Sequence, residues 1–363
     1  MPDLFVGLMS GTSLDGVDGV LADFGGGALK VIAHESAPFA PALRDELLAL
    51  NSPGNDEIHR GALAANALMR VYADVASRLL QPAPGKVTAI GAHGQTIRHR
   101  PQEFDGTGYT TQLCNGALLA ELTGVDVVCD FRSRDVAAGG QGAPLAPFFH
   151  RAMFGKEDET IGVLNIGGIS NLTVLNADGT QLGFDCGPGN GLMDAWAQQH
   201  QGKAFDEGGK WAASGSADRL LLQEMLTDPY FAKSPPKSTG RDLFNVQWLE
   251  ACLSSSSLKA EDVQSTLSEL TATACANDAK RYNLQRLIVC GGGALNTHLM
   301  DRLRAQLPGL PVITSDAAGL PPLQVEATAF AWLARKCVRR EKLELQSTTG
   351  AQGARVLGAI YPA

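Results

Sequence analysis

The sequence predicts an α/β protein of two related domains with a cleft between them, and three observations carry that prediction. Residues 5–20 set a loop of Gly, Ser, Thr and Asp between two apolar runs, and residues 161–175 repeat the arrangement in the second half of the chain. Residues 287–290 form an apolar strand that runs straight into Gly291, Gly292 and Gly293. At 363 residues the chain exceeds what one hydrophobic core usually supports. Apolar residues make up 44% against 6% aromatic, with 41 glycines, the balance of a globular fold rich in tight turns.

The first hairpin loop carries Gly11, Thr12, Ser13, Leu14, Asp15, Gly16, Val17 and Asp18. Backbone N–H groups and hydroxyls converging on one point hold an oxyanion, and glycine permits the close approach. Asp15 and Asp18 would repel a bare phosphate, so a Mg²⁺ ion that keeps its waters, with Asp15 as its protein contact, is expected between the acids and a nucleotide. Taken alone, an ordinary polar hairpin loop explains the same residues equally well.

Residues 41–80 read as helical from the spacing of Leu43, Leu47, Leu63, Leu68, Val71, Val75 and Leu79, and Pro82 and Pro84 end that region. Strands follow over residues 87–90 and 125–129. His93, Gln95 and Thr96 stand at the exit of the first and Arg132 at the exit of the second, where α/β folds tend to build sites. The small-residue stretch 137–144 marks the crossing between a first domain, 1–140, and a second, 141–363, with the extreme C-terminus free to pack back on the first. In the second domain, the turn at residues 176–179 leads to a third antiparallel strand over 181–184 that ends at Asp185, and a helix opens near Leu192. Gly291–Gly293 either let the backbone approach a flat ligand or pack a strand against a helix. Glu326 falls in the first turn of a helix after Pro321 and Pro322, where a carboxylate is favoured by about 0.3–1 kcal/mol.

A formal net charge of −8 with no basic cluster excludes a nucleic-acid backbone as the main partner. Seven cysteines, with no C-x-x-C pair, give neither a disulfide framework nor a zinc knuckle. Residues 1–29 contain no Lys or Arg and no apolar run approaches a membrane span, so a cytoplasmic protein with no membrane partner is expected. None of the four Gly-Lys dipeptides precedes Ser or Thr, so there is no Walker-type loop. H-E-x-x-H and G-x-S-x-G are absent as well. The residues alone reach a two-domain nucleotide phosphotransferase.

Six motifs in one order, MSGTSLDGVD (9–18), GAHGQT (91–96), NIGGISNL (165–172), DCGPGN (185–190), KSTGR (237–241) and CGGGALN (290–296), resemble the anhydro-N-acetylmuramic acid kinase family of the actin, Hsp70 and sugar-kinase superfamily. The resemblance implies two related actin-like ATPase (ribonuclease H-like) domains with ATP in the interdomain cleft. It also implies a cytoplasmic homodimer that converts 1,6-anhydro-N-acetylmuramic acid, water and Mg-ATP to N-acetylmuramic acid 6-phosphate and ADP in cell-wall recycling. On that resemblance Gly11 to Asp18 hold the β- and γ-phosphates and the metal, Gly168 and Ser170 the opposite phosphate face, and Gly291 to Gly293 the adenosine. Asp185 is the candidate base that takes a proton from water. Glu326 orients that water or bonds a sugar hydroxyl, while His93, Gln95 and Thr96 meet the sugar and Arg132 its lactyl carboxylate. Asp242 stands where the family pattern expects Glu, which leaves the 237–241 loop open between a cleft and a dimer role. A kinase of another sugar or of a carboxylate, and an ATP-driven clamp, are the alternatives.

Overall fold

The computed structural model describes residues 2–363 except 12, 13, 28, 241 and 254–257. The chain forms two compact units, Met1–Phe149 with Gln324–Ala363, and His150–Leu323.

In the first unit β1 (Leu4–Met9), β2 (Gly16–Asp23) and β3 (Lys30–Pro38) form an antiparallel meander. After the helices Pro41–Ala49 and Glu57–Leu80, β4 (Ala89–Ala92) joins β1 in parallel. The strands β5 (Gln95–Pro101) and β6 (Gly108–Leu113) make a separate hairpin, and β7 (Val127–Cys129) then pairs in parallel with β4. β1 is apolar on both faces because both are covered: Leu4, Phe5, Val6 and Leu8 are each at most 1% exposed. The long helix Glu57–Leu80 buries Leu68, Met69, Tyr72, Val75 and Leu79 in the core that also holds Leu4, Val6 and Leu8.

The second unit repeats this plan. β8 (Ile161–Ile166), β9 (Ile169–Leu175) and β10 (Gln181–Pro188) form the antiparallel meander. β11 (Arg286–Cys290) and β12 (Val312–Thr314) add in parallel. The order β10-β9-β8-β11-β12 corresponds strand for strand to β3-β2-β1-β4-β7. The duplication seen in the two loop motifs is therefore a duplication of whole sheets, the ribonuclease H-like sheet of actin-like ATPases. Among the described residues no helix is long and apolar enough to cross a membrane.

The end of the chain returns to the first unit. The short strands β13 (Leu343–Glu344) and β14 (Ala354–Arg355) pair with each other, and β15 (Ala359–Tyr361) adds antiparallel to β7. The helix Val325–Val338 lies on β1 and β4. The contact is so close that a Cβ on Gly7 would fall 1.9 Å from the Ala327 carbonyl oxygen, and one on Gly91 2.1 Å from that of Phe330. The crossing lies at Phe149/His150 where 140/141 was expected, and the C-terminal segment that packs back on the first unit is long, Gln324–Ala363. The physical reason is this glycine-to-helix seam, which places the start of the helix, and Glu326 with it, on the first unit.

Candidate active site

The first unit brings together the loop joining β1 and β2, the exits of β4 and β7, and Glu326. Leu14 sits in the loop at φ 55 with its side chain 4% exposed. A left-handed residue with a Cβ costs about 1–2 kcal/mol, and burial of the leucine side chain offsets it. The Leu14 N–H donates to the Gly11 carbonyl (3.3 Å) and the Phe39 N–H to the Asp15 carbonyl (3.1 Å). Asp15 and Asp18 are exposed, and Asp18 lies 3.7 Å from His34 Nε2. Gly16 and Val17 belong to β2, where Val17 is buried and a Cβ on Gly16 would fall 2.3 Å from the Ala37 carbonyl oxygen. Thr12 and Ser13 lie outside the described residues.

Glu326 reaches solvent, yet its carboxyl is pushed up to about 7. The surrounding protein is the main cause, followed by the charges of Asp18 and Asp15, with Arg132 opposing. Among the described residues no three His, Cys, Asp or Glu side chains stand close enough to hold a metal ion directly. The charge that accumulates from Asp15, Asp18 and Glu326 fits a hydrated cation.

His93 is 6% exposed, with its ring 4.7 Å from that of Phe330. Arginine only donates, so the 3.0 Å contact makes His93 Nε2 the acceptor from Arg132 Nη2 and leaves Nδ1–H to donate to the Ser10 carbonyl at 3.3 Å. Burial, and then the Arg132 charge, push the imidazole down to about 3, so it is neutral at pH 7. Arg132 Nη1 donates to the Gly142 carbonyl (2.8 Å), and its buried Nε has no partner among the described residues. Burial lowers the guanidinium to about 10, which leaves it charged. Gln95 is 1% exposed and donates through Nε2 to the Gly11 carbonyl (3.2 Å); Thr96 Oγ1 accepts from Gln112 (3.3 Å). His93 and Gln95 are both buried, His93 against Arg132 and Gln95 against the Gly11 carbonyl.

In the second unit the turn between β8 and β9 is clamped by the segment after β10. The Gly168 carbonyl accepts from Gly189 (3.0 Å) and Gly191 (3.1 Å), and the Gly167 carbonyl from Asn190 (2.7 Å). Ser170 is fully buried and its hydroxyl donates to the Gly187 carbonyl at 3.1 Å. Its side chain therefore closes the hairpin on β10, where a phosphate contact was expected. Gly291 has φ 78, and a Cβ there would lie 2.3 Å from Asn165 Oδ1. One on Gly293 would lie 2.4 Å from Ile166 Cγ2. These two glycines are required by β8, and of the three only Gly292 is exposed.

Asp185 does not end its strand. β10 continues to Pro188 through a register shift between Asp185 and Gly187, which turns the Asp185 side chain out of the regular ladder. Its N–H donates to the Lys237 carbonyl (3.1 Å), its Oδ2 accepts from the Thr239 N–H (3.0 Å), and its carbonyl accepts from the Tyr230 hydroxyl (2.7 Å). Burial pushes the carboxyl up to about 6, against the Thr239 N–H and the Lys237 charge. A carboxylate of that basicity takes a proton near neutral pH. Lys237, Thr239 and Tyr230 were not among the expected site residues. Only the KSTGR motif signalled two of them, and Arg241 of that motif lies outside the described residues.

A family model described as anhydro-N-acetylmuramic acid kinase matches residues 3–363. An anhydro-N-acetylmuramic acid kinase of Variovorax paradoxus is 63% identical over 99% of both chains. One of Albidiferax ferrireducens is 61% identical over the full length of both. Among solved structures, a ROK family glucokinase from Streptomyces griseus in complex with glucose and AMPPNP is 13% identical, covering 92% of this chain and 99% of its own, at a TM-score of 0.43.

Proposed function

The chain belongs to the anhydro-N-acetylmuramic acid kinase family, and from that premise we propose how its residues divide the work of phosphorylating 1,6-anhydro-N-acetylmuramic acid with ATP. Water adds its oxygen to the anomeric carbon as the C1–O6 bond breaks, and O6 takes the γ-phosphoryl as the bond to ADP breaks. The products are N-acetylmuramic acid 6-phosphate and ADP, and one proton is left over from the water.

Asp185 takes that proton. The observation that carries this assignment is a half-buried carboxylate fixed by the Thr239 N–H and raised to about 6, basic enough to accept a proton and acidic enough to return it to solvent. A positioned base of this kind contributes about 10²–10⁴ in rate. Arg132 keeps its charge beside neutral acceptors, His93 and Gly142, and is assigned to the lactyl carboxylate of the sugar. Glu326 bonds a sugar hydroxyl or the water.

The loop from Gly11 to Asp18, the turn at Gly168 and the exposed Gly292 are assigned to ATP. When bound, Mg²⁺ neutralises phosphate charge, and Asp15, through water, with Asp18 nearby, is the residue set that suits it. Positioning supplies most of the remaining rate. The cytoplasmic homodimer implied by the motifs is part of the same proposal, and sedimentation of the purified protein tests the dimer.

The test of the reaction is mass spectrometry of products after incubation with Mg-ATP and the anhydro sugar, with no-sugar and free N-acetylmuramic acid controls. N-acetylmuramic acid 6-phosphate and equimolar ADP, formed only from the anhydro sugar, are expected. ADP released equally without sugar would contradict the proposal.

A further inference from the structure

The carboxylate of Asp185 is held by a loop that is itself tied down by a buried charge. Residues 237–240 supply the Lys237 carbonyl that accepts from the Asp185 N–H and the Thr239 N–H that donates to Asp185 Oδ2. The Lys237 side chain runs inward, 2% exposed, and its Nζ lies 2.8 Å from Asp278 Oδ2. Asp278 is 3% exposed near the end of the helix Ala260–Ala279, and its Oδ1 is 3.4 Å from Arg281 Nε. Lys237 Nζ also stands 5.1 Å from the Tyr230 ring centroid and 5.9 Å from that of Phe184, the residue before Asp185.

Stability alone is a poor reason for this arrangement. Removing two charges from water costs several kcal/mol per ion, and an apolar pair of similar volume is often as stable. A buried pair does fix geometry, because moving either partner away leaves a buried charge less well compensated.

We infer that Lys237 is a positioning residue for Asp185: its ion pair with Asp278 pegs the 237–240 loop to the helix Ala260–Ala279, and the pegged loop fixes the carboxylate. The inference rests on the reading of Asp185 as the base. The charge balance around Asp185 agrees with it. Burial raises the carboxyl, and Thr239 and Lys237 are the groups that draw it down. Among the described residues, the other charged or titratable groups packed around this corner are Asp278, Arg281, Lys233, Tyr282, Cys275, Cys186 and Tyr230. Among the described residues Lys237 is the cation whose charge acts on Asp185, and Arg281 is paired with Asp278.

Three variants test the inference, read by a ¹³C NMR titration of the Asp185 carboxyl and by the pH profile of kcat/KM for the anhydro sugar. Lys237→Gln removes the charge while Arg281 still compensates Asp278. The expected result is an Asp185 pKa higher by about one unit, an acid limb of kcat/KM moved up by the same amount, a kcat lower by about tenfold or more, and an unchanged KM for ATP. Lys237→Arg is expected to return the limb to its original pH. If Lys237→Gln does not fold, Asp278→Asn loosens the peg while keeping the lysine, and a lower kcat with no upward shift of the limb is expected.

A folded Lys237→Gln protein with an unmoved Asp185 titration and limb, or an Asp278→Asn protein with normal kcat, overturns the inference. Asp185→Asn supplies the resonance assignment and separates the two readings. Normal turnover by that variant refutes Asp185 as base, whereas the NMR shift answers for Lys237 in either case.

Discussion

Arg132 donates to the neutral Nε2 of His93 at 3.0 Å, so an imidazole rather than a carboxylate orients the guanidinium. Its other donor meets the Gly142 carbonyl, also neutral. A cation held this way keeps its full charge for an incoming anion, whereas a carboxylate partner would have neutralised it. His93→Ala should therefore act through Arg132, raising KM for the anhydro sugar about tenfold, the equivalent of one hydrogen bond to a charged group. KM for ATP should stay the same. Arg132→Ala should cost about 100-fold in kcat/KM for the sugar. Steady-state kinetics on both substrates checks the split.

Gly7→Ala and Gly91→Ala should each destabilise the protein by about 1–3 kcal/mol, because the new methyl must displace the backbone of the helix Val325–Val338. Both should also lower activity by moving Glu326. Gly26→Ala, where nothing lies within 4 Å of the new carbon, serves as the control and should leave the melting temperature nearly unchanged. Thermal denaturation and turnover, measured on the same preparations, decide.

Ser170→Ala tests whether this hydroxyl meets a phosphate or only closes its own hairpin. The bond to the Gly187 carbonyl predicts a loss of about 1 kcal/mol in stability and a KM for ATP within about twofold of the original. A large rise in KM for ATP with unchanged stability would restore the phosphate role.

Two buried histidines each weaken the fold in acid. His93 and His150 are each pushed down to about 3, chiefly by burial. Below pH 6.5 the unfolded chain takes up protons that the folded one excludes, so their contribution is complete above that pH and declines as pH falls from 6.5 toward 3. Asp185 and Glu326 have the opposite sign: raised to about 6 and to about 7, they favour folding as pH falls through those values. Two histidines and two raised carboxyls therefore oppose each other between pH 6.5 and 5. Urea denaturation of His150→Gln, which takes away one histidine, should show a stability that changes more favourably on acidification than that of the unaltered protein, even if it is lower throughout.

Much of this was legible in the sequence because it was local. The two hairpin loops and the strand before Gly291 announce themselves by apolar runs broken at glycine, and the sheets around them proved to have one topology. What sequence spacing could not show was contact between distant segments. The small residues Ala327, Ala331 and Ala334 suit close packing but do not say which sheet they meet; Gly7 and Gly91 decide that. The direction of a side chain was equally hidden, as Ser170, His93 and Gln95 show by pointing inward from motifs that suggested ligand contact. The turn after Asp185 singles that residue out, yet Tyr230 and Asp278, which help define its surroundings, carry no local signal at all.

The central claim is that Asp185 activates the water that opens the anhydro ring. Its most direct test is single-turnover formation of N-acetylmuramic acid 6-phosphate by Asp185→Asn beside the unaltered protein, with ATP binding measured on the same samples. The account predicts a rate lower by about 10²–10⁴ with ATP affinity retained. Product formed at the unaltered rate by the asparagine variant would contradict it.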